Sequence, residues 1–165
     1  HNVESVDILQ EYPMTLAVMA KDKDDRDTGL EYQNTNIGDG GFILKFGDGT
    51  MTNASWKAKS FFRGPIFESN QQSPTTAHEA IPENWFEVSF DDRQWENAVE
   101  HSEDAVKPKQ PYYENDFEGA KWIWTDDLAL DNTVIFRTVI SAPPNGDPLP
   151  KKWPRGVIDA SERNG

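Results

Sequence analysis

The sequence predicts a mostly β domain, a β-sandwich or jelly roll with long loops and an irregular, Pro-rich C-terminal tail. Short apolar and aromatic runs recur with Gly, Asp and Pro turn signals between them, which is the pattern of short strands. Apolar residues at helical spacing are scarce, and there is no internal repeat. With six Trp and nine Phe in 165 residues, the chain is too aromatic for a disordered protein and long enough to bury a core.

The first half of the chain contains three predicted stretches of strand. Residues 14–20 form a short apolar run, which predicts a buried strand. Residues 42–46 form the next strand, and the Gly-Asp-Gly at 47–49 supplies residues that tolerate positive φ, as a hairpin requires. Strand material then continues over residues 51–62, around Trp56.

The second half begins with a change of composition. Residues 64–82 are rich in Pro, Ser, Gln, Asn and Thr, which predicts a long surface loop. A turn at 90–95 follows, in which side-chain to backbone hydrogen bonds are expected, and then one short helix over 96–106. The last two predicted strands are 122–124 and 134–140.

The end of the chain has a different character from the rest. Five prolines lie between Ser141 and the C-terminus, and proline cannot donate an amide hydrogen to a central strand. We therefore predict a β-sandwich domain over residues 1–141 and an extended Pro-rich tail over residues 142–165.

Charge and composition limit the possible functions. The net charge of −13 disfavours nucleic acid and anionic lipid as partners, and no apolar run is long enough for membrane insertion. The absence of cysteine excludes thiol catalysis and disulfides. Because the chain begins at His1 rather than Met, as a processed protein does, we expect a secreted, extracellular or periplasmic location.

Motifs in a fixed order connect the chain with a known family. They are Leu16-Ala17-Val18, Gly41-Phe42-Ile43, Asp48-Gly49, Ser55-Trp56-Lys57, the turn Phe90-Asp91-Asp92-Arg93-Gln94-Trp95, Trp122-Ile123-Trp124 and Phe136-Arg137. In this order they resemble the galactose-binding-like, carbohydrate-binding jelly rolls found beside rhamnosidases and sialidases. The resemblance spans about 16–140 and implies a sandwich fold with its ligand site on variable loops.

The tryptophans and tyrosines divide into core and surface candidates. The resemblance implies that Trp56, Trp95 and either Trp122 or Trp124 lie in the core. Because side chains alternate along the strand 122–124, its two indoles share one face, and we expect that face to be core. Candidates for stacking on a sugar are Trp85 at the end of the polar loop, Trp153 in the tail, and the pair Tyr112 and Tyr113 in a Pro-flanked loop.

The sequence contains two candidate metal sites, an acidic cluster and a set of histidines. Asp22, Asp24, Asp25 and Asp27 offer the closely spaced oxygen ligands that calcium prefers, although a solvated charged turn explains the same pattern. His1, with its free amine, could bind copper together with His78 and His101, although three ordinary surface histidines are the simpler interpretation.

These observations predict an exported, non-catalytic β-sandwich that binds carbohydrate or acts at the cell surface, with calcium as a stabilising ion. We do not expect an enzyme, since the sequence has no nucleophile, phosphate or dinucleotide motif. One alternative is a secreted copper-binding protein. Another is a structural subunit of an extracellular assembly, whose partner is a neighbouring protein subunit that pairs with an edge strand or holds the tail.

Overall fold

The computed structural model describes residues 3–22, 24, 27–30, 38–66 and 74–146. This part of the chain is mostly β, as the sequence predicts, and all of its paired strands are antiparallel. Its strands are, in chain order, β1 (Met14–Lys21), β2 (Lys57–Ile66), β3 (Thr75–His78), β4 (Glu96–Asn97), β5 (Val99–His101), β6 (Trp122–Trp124) and β7 (Asp131–Ile140). Helix in the described residues is limited to α1 (Glu103–Val106) and a 3₁₀ turn (Tyr112–Glu114).

The strands form two layers. The larger sheet has the order β1-β7-β2-β3, and β4 also pairs with β2. The smaller sheet pairs β5 with β6, and a bridge from Phe42 to Ile123 adds the 42–51 segment to it. Strand β7 lies near the middle of the larger sheet and pairs with β1 on one side and β2 on the other. The arrangement is compatible with the predicted β-sandwich.

The main core fills the space between the two layers. Val134 and Phe136 point inward from β7, and Trp124 faces them from β6. The Phe136 ring lies 5.3 Å from Phe42 and 5.7 Å from Trp124, so aromatic contacts join the sheets. Side chains alternate along a strand, which explains why Val134 and Phe136 of β7, and Leu16, Val18 and Ala20 of β1, all face this core. The buried members of the cluster are Trp56, Ala58, Ala98, Ile123, Trp124, Val134 and Phe136.

A second cluster, which we call the outer-face cluster, covers part of the outer face of the larger sheet. It consists of Phe61, Trp95 and Ile135 with Ile81, Trp85 and Phe90 packed against them. Ile135 points outward from β7, where it meets Phe61 and Trp95. The segment 81–95 crosses this face and adds Trp85 and Phe90. Among the described residues, this segment covers part of the outer face and leaves the rest of it open.

The predicted turn at residues 47–49 is present. At 46–50 the Phe46 N–H donates to Thr50 O (2.8 Å), and the Asp48 carboxylate accepts from the Thr50 N–H and hydroxyl (2.8 and 2.9 Å). Tyr12 also donates to Asp48, and Asn145 N–H donates to the Asp48 carbonyl. The turn therefore joins the segment before β1 with the segment after β7.

Several predicted elements are wrong in extent. Residues 64–82 are not one loop, because β2 continues to Ile66 and β3 lies within them. The predicted helix in 96–106 is reduced to α1, because β4 and β5 pair residues 96–97 and 99–101 into the sheets. Within 51–62 the strand starts only at Lys57, and within 42–46 only Phe42 and Lys45 form isolated bridges.

The predicted tail covers 142–165, and its residues after Gly146 lie outside the described residues. His1, Asp25 and Trp153 also lie outside them. No helix among the described residues has the length and apolar character that a membrane span needs.

Candidate functional site

A row of four side chains crosses the open part of the outer face. Lys21 of β1 stands opposite Thr133 of β7, Thr133 stands opposite Phe62 of β2, and Phe62 stands opposite His78 of β3. Residues directly opposite each other in antiparallel strands have side chains on the same face. The four strands therefore place an ammonium, a hydroxyl, a phenyl ring and an imidazole in one line.

This row forms the floor of a surface cleft of about 180 Å³, which we call the outer-face cleft. It is lined by Lys21, Asp27, Phe61, Phe62, His78, Glu79, Ile81 and Thr133. Pockets for drug-sized ligands measure roughly 300–1,000 Å³. The outer-face cleft is smaller than such a pocket, and its volume matches one small ring or one side chain.

The aromatic part of the cleft is a stacked pair. The rings of Phe62 and His78 lie 4.4 Å apart at an interplanar angle of 16°. Phe62 is buried, whereas His78 is exposed. One face of the imidazole therefore covers Phe62, and its other face is available to a ligand.

The charged part of the cleft is an ion-paired group at the end of β1. Lys21 Nζ lies 3.0 Å from Asp27 Oδ1 and 3.2 Å from Asp24 Oδ1. Partial burial lowers the pKa of Lys21, but hydrogen bonds to the two aspartates raise it by more, so its net pKa is above the ordinary value. The hydrogen bond from Lys21 is also the main cause that lowers the pKa of Asp27. Both groups are therefore charged at neutral pH.

The predicted calcium ligands do not act as one set in the described residues. The Asp24 side chain is 2% exposed and also accepts the Gly29 N–H (3.2 Å). Asp27 is exposed. The backbone of Asp22 is hydrogen-bonded to Asn132: its N–H donates to the Asn132 carbonyl, and its carbonyl accepts from the Asn132 side-chain amide. In the described part of the chain, no three His, Cys, Asp or Glu side chains form a group that could hold a metal ion. Calcium stays a prediction.

The histidines of the copper alternative lie in different sheets. His78 belongs to β3 of the larger sheet, and His101 belongs to β5 of the smaller sheet. His101 Nε2 lies 2.8 Å from the Thr125 carbonyl oxygen. Because His1 is outside the described residues, copper binding also stays a prediction.

The predicted sugar-stacking residues lie in two separate places. Tyr112 and Tyr113 contact each other with ring centroids 5.0 Å apart, and Tyr113 is 57% exposed. Tyr112 is half-buried against Trp122 and donates its hydroxyl to Glu103 (2.7 Å). Trp85 packs partly buried in the outer-face cluster, where its neighbour Phe86 is the more exposed ring. Tyr113 is thus the most accessible of these three.

The predicted core tryptophans are confirmed. Trp56, Trp95, Trp122 and Trp124 are all buried. Trp56 and Trp124 donate their indole N–H groups to the carbonyls of Met51 (3.1 Å) and Asp131 (2.8 Å).

Sequence reasoning did not identify Lys21, Phe62 and Thr133 as site residues. Their proximity depends on strand register between segments far apart in the sequence, and the sequence carries no local signal for it. It did select Asp27 and His78, but for two different metals, and both line the outer-face cleft.

Fold and cleft together define a β-sandwich with a small polar and aromatic cleft on one sheet. Comparisons of the chain with family models, with curated proteins and with solved structures give no match. The resemblance to galactose-binding-like domains therefore stays a prediction.

Proposed function

We propose that this protein is an exported, non-catalytic β-sandwich that binds carbohydrate at a cell surface, with a single sugar ring in the outer-face cleft. The observation that carries the proposal is the convergence, in one small cleft, of an accessible imidazole face and charged hydrogen-bonding groups. A sugar ring presents an apolar C–H face and a rim of hydroxyls, and it needs these two kinds of partner.

Each side of the sugar has a partner of suitable chemistry. The free face of His78 would lie against the C–H face of the ring. The Asp27 carboxylate would accept hydrogen bonds from two neighbouring hydroxyls, and Lys21 would donate one to a hydroxyl or ring oxygen. Because Lys21 and Asp27 are already paired at 3.0 Å, their side chains lose little conformational freedom on binding, which favours affinity.

The size of the cleft restricts the ligand further. A volume of about 180 Å³ holds one ring, so the proposed ligand is a terminal or branching sugar rather than an extended chain. Binding to one ring through a few contacts is weak, and attachment to a larger assembly or surface would raise the avidity.

The test is a glycan array probed with the wild-type chain, followed by titration of the best ligand. We expect His78→Ala and Asp27→Asn each to weaken binding about tenfold, because one stacking contact or charged hydrogen bond contributes about 1–2 kcal/mol. The matched control is Tyr113→Ala, which removes an equally accessible ring elsewhere and should leave affinity unchanged.

Loss of binding in Tyr113→Ala with full binding in His78→Ala would move the site to the Tyr112–Tyr113 loop and contradict the cleft. A wild-type chain that binds no glycan on the array would contradict the carbohydrate function itself.

A further inference from the structure

β1 has eight residues and lies at the end of the larger sheet, and in the described part of the chain its outer edge is unpaired. Among the residues that the structure describes, β1 pairs with β7 and with no other strand. Its core-facing residues Leu16, Val18 and Ala20 pack against the core yet are only partly buried. On the opposite face, Met19 is 41% exposed.

The hydrogen-bond pattern shows which backbone groups point to this edge. Asp22 N–H donates to the Asn132 carbonyl (2.9 Å), and this pair continues the β1–β7 register by one step. Hydrogen-bonded pairs alternate in an antiparallel ladder, so the even-numbered residues of β1 direct their N–H and C=O groups toward β7. The odd-numbered residues, Thr15, Ala17, Met19 and Lys21, direct theirs to the open edge.

The β1 edge lacks the features that usually prevent strands from pairing. Protected edges are short, bulged, proline-containing or charged. Residues 14–20 contain no charge and no proline, and β1 keeps one continuous register with β7 over eight pairs. At the other end of the sheet, β3 has four residues and an irregular register with β2.

We propose that β1 pairs antiparallel with β1 of a second copy of this chain, about a two-fold axis at Val18. A two-fold axis perpendicular to the sheet keeps the core-facing rows of both copies on the same side. With Val18 opposite Val18, residue 17 lies opposite 19 and residue 15 opposite 21. All the outward backbone groups of Thr15, Ala17, Met19 and Lys21 then find partners.

Side-chain sizes favour a second copy in this register over an unrelated strand. Leu16 stands opposite Ala20 of the second copy, and Ala17 opposite its Met19, so a large residue meets a small one at both of these positions. Centring the axis on Ala17 instead would place Ala17 opposite Ala17, Leu16 opposite Val18, and Lys21 opposite Pro13, which has no N–H.

The charges of the strand are compatible with self-pairing. Lys21 is the only charged residue of β1, and it would stand opposite Thr15, whose hydroxyl accepts a hydrogen bond. The two Lys21 side chains lie at opposite ends of the paired strands. The net charge of −13 per chain opposes association, so screening by salt should strengthen it.

The test uses single cysteines in a chain that has none of its own. Val18→Cys should form a disulfide-linked dimer under mild oxidation, because directly opposite, non-hydrogen-bonded residues lie about 4.5 Å apart at Cα. Ala17→Cys and Met19→Cys should each form no disulfide alone, because neither cysteine has another opposite it, and should cross-link when mixed. Cross-linking of Ala17→Cys with itself would overturn the register.

Light scattering on the cysteine-free chain tests the association itself. We expect a twofold increase in mass with rising protein concentration, reached at lower concentration when the salt is high.

Ala17→Pro, which removes an outward N–H, and Met19→Lys, which places a charge at the edge, should each abolish this increase in mass. Val88→Lys, at a site that is 76% exposed in another segment, is the matched control and should not. A monomer at all concentrations, with Val18→Cys uncross-linked, would overturn the proposal. Neither cross-linking nor light scattering measures glycan binding, so the pairing of β1 and the binding of carbohydrate can each fail without the other.

Discussion

Arg137 is a charged side chain held inside the outer-face cluster. Its side chain is 2% exposed, and Nε donates to the Asp92 carboxylate at 2.8 Å. The remaining guanidinium nitrogens donate to the backbone carbonyls of Trp85 and Glu87, and Phe90 lies 5.1 Å away. Arg137 of β7 thus holds the segment 81–95 against the outer face of the larger sheet.

Replacement of Arg137 by Met should therefore destabilise the protein strongly. Removing one partner of a buried ion pair typically costs about 3–5 kcal/mol, because the other partner and its hydrogen-bonding groups are left uncompensated. Urea denaturation measures the change in the free energy of unfolding. Arg93→Met is the control, because Arg93 is 84% exposed, so its loss should lower the free energy of unfolding far less than the loss of the buried Arg137. Equal effects from the two variants would show that Arg137 does not hold this segment.

At the scale of elements, the turn from Asp91 to Trp95 has the interactions that its sequence predicts. The Asp91 carboxylate accepts from the Arg93 backbone N–H (3.2 Å) and from its guanidinium (2.8 and 2.6 Å). Trp95 N–H donates to the Asp92 carbonyl (2.9 Å). This turn directs Trp95 into the outer-face cluster.

The same turn gives a prediction for acid pH. The hydrogen bond from the Arg93 side chain lowers the pKa of Asp91 to about 2. Because this pKa is below the unfolded value, the contact stabilises the turn above the ordinary carboxyl pKa and is lost as the pH falls toward about 2. NMR titration of the Asp91 carboxyl should give a value near 2, and Arg93→Ala should return it toward 3.8. An unchanged value in Arg93→Ala would show that the pair does not form, and Gln94→Ala serves as the control.

Local sequence patterns predicted the apolar and aromatic strands and failed where pairing decides the structure. The apolar runs at 14–20 and 122–124 both form strands, β1 and β6, but β1 lies at the end of its sheet and is only partly buried, not buried as predicted. Residues 75–78 are polar, and they become a strand only because β2 offers its edge. Without β3 there is no Phe62–His78 stack, which is why the outer-face cleft could not be predicted from the sequence.

The predicted helix in 96–106 failed for a related reason. Its true helical part is one turn that begins after Ser102, whose hydroxyl accepts the Ala105 N–H (3.2 Å), and ends at Lys107 in the left-handed conformation. Residues 99–101 instead pair with β6. Composition alone does not distinguish a polar edge strand from a polar helix, because their difference lies in a partner more than 20 residues away.

For the whole molecule, β7 is the strand on which both clusters depend. Val134 and Phe136 enter the core between the layers, while Ile135 enters the outer-face cluster on the other side. The smaller sheet meets the larger one mainly through side chains of the core cluster, among them the contacts of Phe136 with Phe42 and Trp124. The two layers should therefore unfold as one cooperative unit.

Phe136→Ala tests this cooperativity. The side chain is fully buried, so its truncation should lower the free energy of unfolding by about 3–5 kcal/mol through lost burial and a cavity. In wild type and variant alike, far-UV circular dichroism and tryptophan fluorescence should report one coincident transition in urea, because the buried indoles occupy both clusters. Phe86→Ala, at a ring that is 48% exposed, should change the stability by less than about 0.5 kcal/mol. Separate transitions for the two probes would mean that the layers are stable independently, and that the aromatic contacts at Phe136 do not couple them.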